Sequence, residues 1–145
     1  LALLQECGVA DARVLDYGCG SGILAIAAAR LGARAVRGVD VDPQAIRASV
    51  DNARNNDVVA TFSLADALEA GSYDLVVANI LANPLILLAP ALAARVRAGG
   101  RIALSGILDD QQDAVIDAYA GWFTLAPWRH AEGWVLLQGE RREAR

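Results

Sequence analysis

The stretch Val14-Leu15-Asp16-Tyr17-Gly18-Cys19-Gly20-Ser21-Gly22, followed by the apolar run Ile23 to Ala29, constrains this chain more than any other. It predicts a short buried strand, a glycine turn and a helix. That is the arrangement by which an α/β domain brings backbone N–H groups up to a small ligand at a helix N-terminus. The turn departs from the dinucleotide pattern Gly-x-Gly-x-x-Gly, because Ile23 stands three after Gly20 and a glycine comes early, at Gly22. Asp16 departs further, since a carboxylate beside a pyrophosphate adds like-charge repulsion, whereas beside a cationic group it helps.

A second short strand, Ala35 to Asp40, ends in a carboxylate 22 positions after Gly18. In this kind of fold an acid about 20 residues beyond the turn accepts hydrogen bonds from a ribose diol, because one carboxylate takes two hydroxyl donors. Asp16, Gly18, Gly20 and Asp40 together favour a nucleoside-bearing, partly cationic ligand. S-adenosylmethionine has that chemistry: no phosphate, one ammonium and one sulfonium. The alternative is a generic glycine turn with Asp16 merely exposed.

The rest of the chain falls into alternating strands and helices. Leu1 to Cys7 predicts a helix tail with Gly8 as its cap, Arg13 to Tyr17 the first strand, and Ser21-Gly22 the opening of a helix to about Leu31 that Gly32 stops. Asp42-Pro43 is an N-cap with proline at the first helical position, and a helix from Gln44 to about Asn55 follows. Val58 to Leu64 predicts a third strand. Asp66 follows in a turn, either accepting from an adenine amino group or capping Ala67-Leu68-Glu69. Tyr73 to Asn79 predicts a buried strand, with Leu75, Val76, Val77 and Ala78 continuously apolar, as a parallel strand buried on both faces requires. Asn79 therefore lies at a strand's C-terminal end, where open α/β sheets bind ligands. Asn83-Pro84 starts an apolar helix to about Val96, ended by Gly99-Gly100. Arg101 to Ser105 is a fifth strand, Asp109 to Trp122 a helix, and Thr124 to Trp128 with Trp134 to Gly139 an antiparallel pair around Glu132-Gly133.

A chain of 145 residues predicts one domain, 1–145, with a sizeable core. Hydrophobic residues at 55% and charged ones at 21% exclude a disordered chain, and no apolar run reaches the ~18 residues of a membrane span. A net charge of −4 gives no general field for nucleic acid. Cys7 and Cys19, with no zinc spacing around them, predict reduced thiols in a cytoplasmic protein and no metal. The absence of methionine, with Leu1 first, predicts a processed product or a piece of something longer.

In this order, Asp16 to Gly22, Asp40, Asn79-Ile80-Leu81-Ala82-Asn83-Pro84 and Leu104-Ser105-Gly106-Ile107-Leu108 resemble the class I S-adenosylmethionine-dependent methyltransferases. The Asn79 segment and Ser105-Gly106-Ile107-Leu108 resemble, within that class, the bacterial ribosomal protein L-eleven methyltransferase family. The resemblance implies a doubly wound, mostly parallel seven-stranded α/β sheet with an antiparallel closing strand. It implies S-adenosyl-L-methionine as cofactor and a large-subunit ribosomal protein as the methylated partner, on lysine side chains or the N-terminal amine. No nucleic acid or membrane is expected as a direct partner, and a cytoplasmic monomer is expected. The family's N-terminal recognition domain, its linker and a threonine contact to the cofactor are expected to be absent here. Gly18, Asp40 and Asn79 match the family's cofactor contacts, and Asp66 matches only the general pattern of an acid near adenine.

Methyl transfer to an amine needs an unprotonated nitrogen aligned with the sulfonium methyl, so the protein supplies mainly orientation. The Asn79 side-chain carbonyl can accept from an amine N–H, helped by the Ile80 and Leu81 carbonyls; the alternative is an asparagine that caps the next helix. Ile80, Leu81 and Ala82 replace the Pro-Pro-aromatic loop of adenine and glutamine methyltransferases, which favours an aliphatic lysine-type amine. No residue is assigned as a catalytic acid or base. His130 is expected at a hairpin surface, Trp122, Trp128 and Trp134 as packing residues, and Glu132, Glu140 and Glu143 on a solvated face. Three rival readings remain: a nicotinamide oxidoreductase, disfavoured by Asp16 and Ile23; a fragment that binds cofactor without turnover; and a methyltransferase of another protein or a small molecule.

Overall fold

The computed structural model describes residues 2–143, the side chains of Ala2 and Cys7 excepted. The helix start at Leu1, the end of the 1–145 domain and the Cys7 thiol therefore lie outside the described residues. In chain order the elements are α1 (Ala2–Cys7), β1 (Arg13–Tyr17), α2 (Ile23–Arg30), β2 (Ala35–Asp40), α3 (Pro43–Asn55), β3 (Thr61–Leu64), β4 (Tyr73–Asn79), α4 (Ala82–Leu87), α5 (Ala89–Ala93), β5 (Val96–Leu108), α6 (Gln112–Tyr119), β6 (Ala126–Ala131) and β7 (Trp134–Glu140). The strand order is β3-β2-β1-β4-β5-β7-β6. Pairs β1·β2, β2·β3 and β4·β5 are parallel, and β7 runs antiparallel to both β5 and β6. This is the mostly parallel α/β sheet with an antiparallel closing strand that the sequence predicts. Among the described residues no helix is long and apolar enough to cross a membrane.

By its internal contacts the chain divides into two compact units, Leu1–Gly71 and Ser72–Arg145. In the first, Val14, Leu15, Val36 and Val39 are buried strand residues, and the alanines of α2 let that helix pack closely. Asp42 caps α3 as expected, its Oδ1 accepting from the Gln44 N–H at 2.9 Å. The third strand starts at Thr61 rather than Val58. The Val58 N–H is taken by the Ala53 carbonyl, which finishes α3, and Val59 is left 92% exposed.

In the second unit the single helix expected from Asn83 to Val96 is two helices. Pro90 has no N–H for the Ile86 carbonyl and its ring crowds that turn, so α4 stops at Leu87 and Pro90 opens α5. Gly99-Gly100 do not end a helix; they lie inside β5, where its pairing with β4 slips between Tyr73 and Leu75. The Arg141 backbone ties both down, accepting from Gly99 N at 3.0 Å and donating to Gly100 O at 2.7 Å. Its guanidinium donates to the Val96 carbonyl at 2.9 Å and to that of Ala93, at the carbonyl end of α5. The helix expected from Asp109 to Trp122 is a 3-10 turn, Asp109–Gln111, followed by the shorter α6.

Among the described residues the buried aromatics are Tyr73, Tyr119 and Phe123, and not the three tryptophans. Full burial of such a ring contributes about 1.5–3 kcal/mol. The Tyr119 hydroxyl donates to the Leu85 carbonyl at 2.7 Å, and burial raises its pKa. In β7 the alternation of faces buries Val135, Leu137 and Gly139 and leaves Trp134 outside. Glu132 and Gly133, at φ +51° and +82°, make the tight turn between β6 and β7. His130 lies on the surface as expected, its Nδ1 2.9 Å from Asp109 Oδ1.

Candidate functional site

The glycine turn of the first unit is held from three sides. Gly18 and Cys19 donate their N–H groups to the Val39 carbonyl at 2.8 and 2.9 Å, which hangs the turn on the end of β2. The Gly20 N–H donates to Asp40 Oδ2 at 3.0 Å, while Asp40 Oδ1 accepts from Asp42 N at 3.0 Å. From α3, Ser49 donates to the Gly20 carbonyl at 2.8 Å and Asn52 to the Ser21 carbonyl at 2.9 Å. Gly22 has φ +88°, and a Cβ there would sit 3.1 Å from Ser49. Only glycine meets both demands without strain.

Gly18, Gly20 and Asp40 thus come together, as the sequence predicts. Each Asp40 oxygen holds one backbone donor and keeps capacity for another, so the carboxylate can brace the turn and still accept from two hydroxyls. Asp66 stands apart from this cluster. It is exposed, in a 3-10 turn Ala65–Ala67 that begins directly after Asp40's ladder partner Leu64. It does not cap that turn, whose N-cap is Leu64 with no side-chain bond.

Asp16 is not the exposed residue of the alternative reading. It is 1% exposed, and its Oδ2 has no hydrogen-bond partner. Burial pushes its pKa from 3.8 to about 7, against the lowering effect of the Ala25 amide and with a smaller upward push from Asp40. Burial likewise raises the Cys19 thiol, which sits 3.6 Å from Ser49 Oγ, so this free cysteine is an unreactive packing group. A buried carboxylate with one orphan oxygen and a second carboxylate at the same turn suit a ligand with a cationic group and sugar hydroxyls. They would repel a pyrophosphate.

The second unit has its own concavity, a cavity of about 580 Å³ lined by Asn79, Ile80, Leu81, Ser105 and Gly106 together with Arg129, Ala131, Trp134, Val135 and Leu136. Asn79 pairs with Ser105 at the C-terminal ends of β4 and β5. Beyond Leu104 the ladder between β5 and β7 shifts, regaining register at Ile107, so Ser105 and Gly106 form a bulge. Gly106 has φ +86°, and a Cβ there would lie 2.5 Å from the Ile80 carbonyl oxygen and 3.2 Å from Asn79 Oδ1. Glycine is therefore what lets the two strand ends approach. Asn79 does not cap α4, whose N-cap is Leu81 without a side-chain bond.

Several of these roles escape a reading along the chain. Ser49 and Asn52 brace a turn about thirty residues away, and only their i, i+3 spacing on one face of α3 hints at a shared target. The steric demand at Gly106 has no signature in its neighbours along the chain, and Trp134, a packing residue by sequence, is 46% exposed.

The family model described as Ribosomal protein L11 methyltransferase (PrmA) matches residues 1–142. A ribosomal protein L11 methyltransferase of Cupriavidus necator is 59% identical over 128 residues, which are 88% of this chain and 43% of that protein. The chain spans less than half the length of the curated relatives it matches. The crystal structure of a ribosomal protein L11 methylase from Lactobacillus delbrueckii subsp. bulgaricus is similar at TM-score 0.88 and 34% identity, covering 97% of this chain and 75% of that one. An RNA methyltransferase from Salinibacter ruber, in complex with S-adenosyl-L-homocysteine, shares the fold at TM-score 0.77 and 20% identity, covering 99% of this chain and 90% of that one.

Proposed function

The chain belongs to the ribosomal protein L11 methyltransferase (PrmA) family, and from that premise we propose that residues 1–145 form a catalytic domain that methylates amino groups of ribosomal protein L11. The acceptors are lysine side chains or the N-terminal amine. S-adenosyl-L-methionine, the cofactor, supplies an electrophilic methyl group on a sulfonium. The observation that carries the reading is the buried Asp16, its second oxygen unpartnered, beneath a glycine turn that Asp40 holds in place.

In this reading Asp16 favours the cationic portion of the cofactor. Asp40 accepts from the ribose hydroxyls, Gly18 and Gly20 allow close approach of the backbone, and Asp66 accepts from the adenine amino group. Asn79, among the aliphatic side chains of its cavity, accepts from the amine N–H and orients the nitrogen lone pair. The protein works as a monomer in the cytoplasm, and its net charge of −4 favours a basic protein partner over nucleic acid.

Calorimetry tests the cofactor: S-adenosylmethionine or its demethylated product binds, and NAD gives no comparable heat. The reverse preference overturns the assignment. Transfer of labelled methyl groups to isolated ribosomal protein L11 tests the reaction, with this chain and with a chain of its relatives' full length. Turnover confined to the longer chain would make residues 1–145 a binding unit only.

A further inference from the structure

A second, smaller cavity of about 250 Å³ adjoins the Asn79 cavity, and Leu81, Gly106 and Trp134 line both. Its remaining wall comes from Ala82, Asn83, Pro84, Leu108 and Gln111, with no charged side chain. The Gln111 carbonyl oxygen is engaged, accepting from the Leu108 N–H at 3.0 Å. Three large apolar side chains on this wall remain in solvent: Leu81 at 65% exposure, Trp134 at 46% and Leu108 at 39%. Apolar side chains gathered around one concavity favour an apolar occupant that removes them from water.

Resting on the reading of the larger cavity as the amine-acceptor site, we propose that the smaller one is a specificity subsite that receives an aliphatic side chain neighbouring the methylated residue. Three observations select that occupant. The shared wall makes the subsite continuous with the acceptor cavity, so one polypeptide can fill both. The uncharged lining gives no partner to a buried acidic or basic side chain, which would lose its hydration uncompensated. The volume, under half that of its neighbour, has ample room for an aliphatic side chain. Trp134 then serves as the partition, one ring bordering both the lysine stem and the neighbouring side chain.

The test is peptide binding by calorimetry in the presence of S-adenosylhomocysteine, so that no turnover intervenes. Peptides carry one lysine flanked on either side by leucine, glycine or glutamate, and a control replaces the lysine of the leucine peptide by alanine. Leucine at one flanking position is expected to tighten binding about tenfold or more over glycine, the effect of burying one aliphatic side chain. The preference should vanish in Leu108→Glu, a partly exposed position whose change leaves the melting transition in place. Equal affinities that all depend on the lysine would overturn the subsite and leave the acceptor reading standing, as would a leucine preference that survives Leu108→Glu. A leucine peptide that binds equally well without its lysine, or no binding by any peptide, would overturn both.

Discussion

The glycine turn of the first unit and the Asn79 cavity of the second present opposite chemistries at the ends of parallel strands. The turn is polar and tightly tied: two carboxylates, backbone N–H donors, and side chains from α3 that leave no slack. The cavity is mostly apolar and wide, with one amide, one hydroxyl and the Arg129 side chain among aliphatic and indole surface. A charged, hydroxyl-rich ligand needs fixed dipoles placed beforehand, and the protein tolerates a buried carboxylate to provide them. An aliphatic amine needs a channel for its stem and only one or two acceptors at its tip. Under the proposed function, the ligand's charge would be met at the hydrogen-bonded turn and the shape of the acceptor side chain in the apolar cavity.

The largest expected consequence is on stability. The folded chain keeps Asp16 protonated up to about 7, whereas an unfolded chain releases that proton near 3.8, so the folded state binds the extra proton between those values. Stability therefore falls with rising pH across that window, by roughly 4 kcal/mol from this group, and levels off above it. Asp16→Asn is neutral throughout, so without cofactor it should melt above the parent chain at pH 8 and close to it at pH 4. Parallel melting curves across that range would mean that Asp16 is not held neutral.

In the second unit, Gly106→Val places a side chain against the Ile80 carbonyl and should cut methyl transfer about a hundredfold, because it displaces the backbone that lines the acceptor cavity as well as the Asn79 side chain. Cofactor affinity, measured calorimetrically, should stay within a few-fold if the two regions divide the work as the comparison holds. An equal loss in both would break it. Asp40→Ala attacks the other side. It removes acceptors for two hydroxyls and releases the Gly20 amide, so cofactor affinity should fall roughly ten- to hundredfold. An unchanged dissociation constant with an intact melting transition would move the ribose contact elsewhere.

Asn79→Ala should have the smallest of these effects, a loss of about tenfold in single-turnover transfer to ribosomal protein L11 at saturating cofactor, for one hydrogen bond strongest near the transition state. The assay uses a chain of the relatives' full length. Normal turnover in a variant that binds cofactor poorly would make Asn79 a cofactor contact and sharpen the comparison in the opposite direction.

The sequence by itself determined the parts whose cause is local. The apolar run Leu75 to Ala78 specifies β4, because a parallel strand buried on both faces needs no polar alternation. Asp42-Pro43 specifies the start of α3, and Glu132-Gly133 the turn between β6 and β7, through conformations those residues adopt cheaply. The break at Pro90 has an equally local cause, the missing N–H, but the apolar run around it reads as one helix. What only the tertiary structure decided depends on groups distant along the chain. Gly99-Gly100 joins a strand because Arg141 closes on it from the far end of the sequence. Asp16 is pushed up to about 7 because of what covers it, and a carboxylate's desolvation cannot be read from its neighbours in sequence. The Asn79 cavity exists because β5 bulges at Gly106 and β7 turns Trp134 away from the core, and both follow from strand pairing and register.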